Sequence, residues 1–316
     1  MISNRRSFIT GVKGTKLNKK EVNFLKKYKP WGIILFSRNI KTISQTKKLT
    51  HQIKSIFKDK NYPILIDEEG GRVSRLNKFI DSTIFTAEFF GNLYKKDKKK
   101  FNIYYNVYIK QVSYLLNLLG INVNTVPVLD VRRKFTNNVI GNRSFSSNSS
   151  LVSKMGKICI QKFHENHIGT IIKHIPGHGL STDDSHLKLP SVKHNYKLLN
   201  KVDFFPFKNQ RAFLAMTAHV IYKSIDPINT ATHSKKIMKI IRKKIAFKNI
   251  IMSDDISMKA LKYSTSENTT RAFNAGCNLV LHCNGNYKEM LIVAKKSPLL
   301  SDFVMKKTSQ LINIIR

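Results

Sequence analysis

Eight short apolar segments, each followed by a helical stretch, predict an α/β chain folded as a single (β/α)8 barrel of the TIM type, residues 1–316. Two further observations favour closure. The segments are continuous apolar runs rather than alternating ones, as strands buried on both faces require. Titratable residues also recur where these runs end: Asp67, Asp130, Lys173-His174, His219, Asp254 and His282. In a parallel barrel such ends converge on one face, where the active site lies. A lone strand-end Asp often caps the next helix, but capping alone does not explain so many. An open doubly wound sheet is the alternative, weakened because no GxGxxG follows the first strand.

The elements follow in order. Ser7 to Val12 reads as the first strand, and Asn18 to Tyr28 as a helix that Asn18 can cap and Pro30 ends. Gly32 to Phe36 is the second strand, Thr42 to Phe57 a helix, and Pro63 to Asp67 the third strand, running into Glu68-Glu69-Gly70-Gly71-Arg72. A longer segment carries the charge run Lys95 to Lys100. Asn102 to Leu119 repeats apolar residues at three and four, and Gly120 stops it. Val123 to Leu129 is the fourth strand. Ser149 to Ile168 is a helix closed by Gly169, and Gly169 to Ile172 is the fifth strand, with Lys173-His174 at its end. Phe213 to Thr217, Asn249 to Ser253 and Asn278 to Leu281 complete the strands. Helices at Ser234 to Ile245 and Ser264 to Ala275 lie between them, and one or two more close the chain.

Composition excludes several classes. The chain has 316 residues, 41% hydrophobic, long enough for one barrel-sized core. No run of about 18 apolar residues is present, so no membrane insertion is expected. The basic start, Met1 to Ser7, is not followed by an apolar stretch with a cleavage site, so no signal peptide is expected. Cys159, Cys277 and Cys283 form no CxxC and no framework, which fits a reduced, cytoplasmic setting. The net charge of +37 would ordinarily point to nucleic acid. Here the lysines are scattered along the whole chain among abundant Ile, Asn, Phe and Tyr, the residues of A/T-rich codons. Genome composition accounts for that pattern, and no nucleic-acid partner is expected.

The stretch richest in chemistry is Lys173-His174-Ile175-Pro176-Gly177-His178-Gly179-Leu180-Ser181-Thr182-Asp183-Asp184-Ser185-His186. Pro176, Gly177 and Gly179 make it a loop. It reads in three ways: solvated surface, a metal site, or acid/base machinery. His174 and His178 are four apart, but Pro176 and Gly177 deny them a shared helical face, so no metal is expected. Asp184 and His186 are two apart, close enough for the carboxylate to orient the imidazole and tune it near neutrality.

This stretch resembles the KH(F/I)PGHG…DSH signature of family 3 glycoside hydrolases, and is most similar to the bacterial β-N-acetylhexosaminidases of cell-wall recycling. Further matches fall in the same order: Asp67-Glu68-Glu69-Gly70-Gly71-Arg72-Val73 with Arg75, Pro127-Val128-Leu129-Asp130-Val131, Gly141-Asn142-Arg143-Ser144, Ala218-His219-Val220-Ile221-Tyr222 and Ser253-Asp254-Asp255-Ile256-Ser257-Met258. Asn142, Glu68, Ile175 and Thr217 stand where that family often has Glu, Gln, Phe and Pro. The resemblance implies removal of terminal non-reducing β-N-acetylglucosamine from muropeptides by a retaining mechanism; a monomer that needs no cofactor is expected. It places the nucleophile on Asp254, the general acid/base on His186 with Asp184 as its partner, and sugar binding on Asp67, Arg75, Arg143, Lys173 and His174. Two rivals remain: assistance by the substrate's own acetamido group beside Asp254-Asp255, and a non-catalytic basic barrel binding an anionic polymer.

Overall fold

The computed structural model describes residues 2–133, 139–181 and 190–316. Eight parallel strands close into a barrel. They are Arg6–Gly11, Pro30–Leu35, Ile64–Ile66, Val123–Asn124, Gly169–Ile175, Leu214–Thr217, Ile250–Asp255 and Leu279–His282. Each pairs with its neighbours in chain order, and the first closes on the eighth through Phe8 opposite Val280 and Thr10 opposite His282.

Alternate strand residues enter two different cores. Ile9, Ile34, Leu65, Val123, Ile171, Leu214, Met216, Ile250, Met252, Leu279 and Leu281 fill the barrel interior. Phe8, Ile33, Ile64, Ile66, Ile172, Ala215, Ile251 and Val280 pack outward under the helices. Both faces are apolar, which is why the runs are continuous in sequence.

Helix starts are capped by short polar side chains, Asn18 as the sequence predicts. Asn18 caps α1 (Lys19–Tyr28) in a reciprocal capping box with Glu21. Thr42 caps α2 (Ile43–Phe57), Asn148 caps α5 (Ser149–Glu165), Ser234 caps α7 (Lys235–Lys243), and Ser264 caps α8 (Thr265–Ala275). Gly276 ends α8 at φ 119°, a left-handed conformation that suits glycine.

Several sequence expectations are corrected. Pro30 opens the second strand, where an absent N–H is tolerated at the first residue. The fourth strand ends at Asn124, not Leu129, because Pro127 interrupts the ladder; pairing resumes only as a bridge from Val128 to Lys173. The segment before Asn102 holds α3 (Ala87–Lys96) and the start of α4 (Lys98–Leu118), with Asp97 ending one and capping the other. Helix α5 stops at Glu165, and Gly169 belongs to the strand. The fifth strand continues through Lys173 and His174 to Ile175. A short helix, α6 (Tyr196–Lys201), and a two-stranded sheet of Ser191–Val192 with Ile221–Tyr222 lack periodicity long enough to be read from sequence.

The barrel floor is sealed by α10 (Asp302–Ile312), which follows α9 (Tyr287–Lys296). Val304 and Leu311 pack into the interior core with Trp31, whose indole N–H donates to Thr308 Oγ1 at 2.8 Å. Trp31→Ala is expected to cost about 3–5 kcal/mol through the cavity it leaves, read as a lower urea midpoint at unchanged slope.

Candidate active site

Strand parity builds the top of the barrel. Residues two beyond an interior side chain point the same way. Asp67 follows Leu65, Thr125 follows Val123, Lys173 follows Ile171, and Asp254 follows Met252. Asp67, Lys173 and Asp254 line one cavity of ≈ 260 Å³ at the C-terminal face, with Glu69, Arg75, Arg143, His174 and His178. Apolar wall is supplied by Val73, Ile140, Met216, Met258 and Leu281.

Lys173 is the central buried cation. Its Nζ reaches Glu69 Oε1 at 2.6 Å, Thr125 Oγ1 at 2.8 Å and Asp67 Oδ1 at 3.1 Å. Thr125 donates in turn to Asp67. Glu69 also takes a two-pronged pair from Arg143, Nε at 2.7 Å and Nη2 at 2.8 Å, the planar fork that suits guanidinium–carboxylate recognition. Burial pulls the Glu69 carboxyl up, but Arg143 and Lys173 outweigh it and hold it far below the usual carboxylate range. Burial likewise opposes the charge on Asp67, and Lys173, Arg75 and Thr125 overcome it. Lys173 and Arg143 are held above their ordinary values by these same carboxylates, against their burial.

Arg75 lies 3.6 Å from Asp67 Oδ2 and over the Phe36 ring at 5.6 Å. Its Nε is buried with no hydrogen-bond partner among the described residues. A buried donor without a partner leaves an unmet hydrogen-bonding demand beside the cavity. The loop bearing Glu69 and Arg75 turns at Gly70 (φ 83°) and Gly71 (φ 60°), both left-handed.

Asp130 organises the histidines. Its Oδ2 accepts from His174 Nδ1 at 2.7 Å and its Oδ1 from the His178 backbone N–H at 2.7 Å. The first bond fixes the His174 ring and leaves Nε2 as the nitrogen open to a ligand. Burial pushes His178 down to about 4, against the pull of Asp130, so its ring is neutral at pH 7. Two strand-end histidines turn out structural. His219 spends both nitrogens, on Thr232 Oγ1 at 2.8 Å and the Asp255 carbonyl at 3.0 Å. His282 pairs with Glu289 at 2.9 Å.

The two adjacent aspartates divide. Asp254 lines the cavity, no cation of the described residues pairs with it, and its Oδ1 accepts only the Asp255 N–H at 2.7 Å. Asp255 points away, and its carboxylate accepts from Ser257 N, Ser257 Oγ and Cys283 N. Asp184 and His186 lie outside the described residues, on the stretch leaving the loop that Asp130 holds. Sequence reasoning missed the central role of Glu69 and left Asp130 unassigned; the signal available for Glu69 was its place between Asp67 and the paired glycines.

Behind this loop, Asp203 is fully buried. Its Oδ2 accepts the Leu180 N–H at 3.2 Å, and burial raises its carboxyl to about 8. A carboxyl raised on folding contributes stability that is intact below about pH 4 and lost as pH climbs toward the folded value. Asp203→Asn, which keeps the acceptor, is therefore expected to raise the Tm at pH 8 by more than at pH 5.5. A difference independent of pH would contradict the assignment.

The cavity thus carries three carboxylates, Asp67, Glu69 and Asp254, against three permanent cations, Arg75, Arg143 and Lys173. On a chain of net charge +37 that local balance favours a neutral, polyhydroxylated ligand over a polyanion. A TIM barrel with such a polar cavity at its C-terminal face has the place and form of an enzyme site. The glycosyl hydrolase family 3 N-terminal domain matches residues 5–314, and the chain belongs to that family. β-Hexosaminidase of Haemophilus ducreyi is 32% identical over 289 residues, 87% of this chain and 80% of that protein. β-Hexosaminidase of Xanthomonas campestris is 29% identical over 282 residues, 87% and 84% respectively. β-Hexosaminidase A of Pseudoalteromonas piscicida is 32% identical over 280 residues, and there the chain spans only 46% of the relative's length. Among solved structures, NagZ of Neisseria gonorrhoeae in complex with N-trifluoroacetyl-D-glucosamine superposes with a TM-score of 0.85 at 29% identity, over 98% of this chain and 90% of that one. The protein is a glycosidase of the β-N-acetylhexosaminidase kind.

Among the described residues no helix is long and apolar enough to cross a membrane.

Proposed function

We propose that this chain hydrolyses terminal, non-reducing β-linked N-acetylglucosamine from peptidoglycan fragments, with retention, as a cytoplasmic step of cell-wall recycling. The observation that carries the mechanism is Asp254: on the interior line of its strand, in the cavity, with no cation of the described residues paired to it. An unpaired carboxylate is a competent nucleophile, unlike Asp67 and Glu69, which are tied to buried cations. An Asp254 oxygen attacks the anomeric carbon as the glycosidic C–O bond breaks. His186 donates its proton to the leaving oxygen, then takes one from the water that releases the sugar. Asp184 orients His186. Asp67, Arg75, Arg143, Lys173 and His174 Nε2 hydrogen-bond the sugar and hold it for attack. Met216, Met258 and Leu281 offer the apolar contact that an acetamido methyl takes.

The direct test compares a chromogenic N-acetyl-β-glucosaminide with the matching β-glucoside. Preference for the former by about 10-fold or more in kcat/KM is expected, from the polar and apolar contacts available to the acetamido group. Equal rates would refute the assignment. Salt-sensitive DNA binding without hydrolysis would favour the non-catalytic rival instead.

His186→Ala is expected to reduce turnover of substrates with poor leaving groups by ~100- to 10,000-fold, and that of activated aryl glycosides far less. Equal loss on both would assign the acid elsewhere.

A further inference from the structure

Glu68 is buried directly behind the cavity and takes no part in the chemistry above. Its backbone is fastened to the fourth strand: Glu68 N donates to Asn124 Oδ1 at 3.0 Å, and Asn124 Nδ2 donates to the Glu68 carbonyl at 2.8 Å. Its Oε2 accepts three hydrogen bonds from one tripeptide: Arg75 N at 2.7 Å, Leu76 N at 3.0 Å and Ser74 Oγ at 3.1 Å. One oxygen therefore folds the loop that presents Arg75 to the ligand. The other, Oε1, is buried with no partner among the described residues, and so is the Tyr108 hydroxyl. Both residues line a second, smaller cavity of ≈ 30 Å³. That is room for one water, and each orphaned group needs a partner that the described residues do not supply. Tyr108 also abuts the turn itself, since a Cβ on Gly70 would run into its hydroxyl and into the Phe85 carbonyl.

We propose that Glu68 is the positioning residue for Arg75, with its second oxygen braced by Tyr108 through one buried water. The chain of contact runs from α4 through Tyr108, water and Glu68 to the Arg75 backbone, and so sets where the guanidinium meets the sugar. Glu68 does not touch substrate; it acts through Arg75. The proposal rests on the reading of Arg75 as a sugar-binding residue. A shape-matched apolar side chain at this position would leave Arg75 N, Leu76 N and Ser74 Oγ unpaired in the interior.

The test is a double-mutant cycle on KM and kcat with an aryl N-acetyl-β-glucosaminide. Glu68→Ala is expected to raise KM by about 10-fold in the native background but less than about 2-fold in the Arg75→Ala background, because coupled residues are not additive. Glu68→Gln keeps an acceptor for the tripeptide and is expected to restore KM to within about 3-fold, since replacing a charged acceptor by a neutral one weakens rather than removes the bonds. Should Glu68→Ala not fold, Tyr108→Phe, which removes one oxygen and little packing, carries the same cycle with the same sign. Equal KM increments in both Arg75 backgrounds overturn the proposal, as does Glu68→Gln behaving like Glu68→Ala. If Arg75→Ala alone leaves KM unchanged, it is the sugar-binding reading of Arg75 that fails.

Discussion

Asp254→Gly is expected to lose about 10,000-fold or more in kcat on an N-acetyl-β-glucosaminide, the scale seen when a nucleophile acting within a catalytic unit is removed. The fold should be little changed, because Asp254 makes no ion pair among the described residues and its only hydrogen bond there is to its neighbour's N–H. Azide, small enough to enter the space left, should restore turnover and yield the α-glycosyl azide. Asp255→Ala should behave in the opposite manner. Its carboxylate holds Ser257 N, Ser257 Oγ and Cys283 N, so its loss loosens the turn that carries Met258. Steady-state kinetics and a melting curve on the two variants separate the roles: activity falls with little loss of Tm in one, and Tm falls in the other.

Glu69→Ala carries the largest expected structural effect. It strips two buried cations, Lys173 and Arg143, of a shared carboxylate at 2.6 to 2.8 Å. Breaking a buried pair by removing one partner costs about 3–5 kcal/mol, and KM should rise because Arg143 and Lys173 lose their fixed positions. The pH dependence has a definite sign. Glu69 is held far below its ordinary value when folded, and Asp67 and Asp130 are lowered too. Such groups contribute stability above the unfolded carboxylate range, near pH ~4, and that stability is lost as pH falls through their folded values. The stability gap between wild type and Glu69→Ala should therefore be widest at neutral pH and narrow as pH drops below ~4. Urea titrations at pH 7 and pH 3 measure it; a constant gap would mean that Glu69 serves packing rather than charge.

Much of this site is legible in the amino-acid sequence. Continuous apolar strands, the cap at Asn18 and charged residues at strand ends lead directly to a barrel with a polar mouth. What the linear pattern cannot supply is direction. Ile250 to Met252 is apolar on both faces, so periodicity does not say whether Asp254 or Asp255 looks inward. Only the division of Met252 into the interior core and Ile251 into the outer one settles it. The same limit hid the network around Lys173. Glu69, Thr125 and Asp130 are distant from it or from His174 in sequence and meet only when the third, fourth and fifth strands pair. His219 and His282 look equally catalytic as strand-end residues. Thr232 and the Asp255 carbonyl occupy both His219 nitrogens, Glu289 takes His282 Nε2, and no local pattern encodes those partners. Helix α3 escaped notice because the run Lys95 to Lys100 straddles a boundary at Asp97 rather than lying within one element.

The central claim is a covalent glycosyl-enzyme on Asp254, and trapping it is the most direct measurement. A 5-fluoro N-acetylglucosaminyl donor slows both steps by destabilising the oxocarbenium-like transition state, and its good leaving group lets the adduct accumulate. Peptide mass mapping of the inactivated protein should then find one sugar, carried by Asp254, on the strand peptide Ile250–Asp255. A label on Asp255, or release of an oxazoline with no protein adduct, would contradict both the residue and the covalent mechanism.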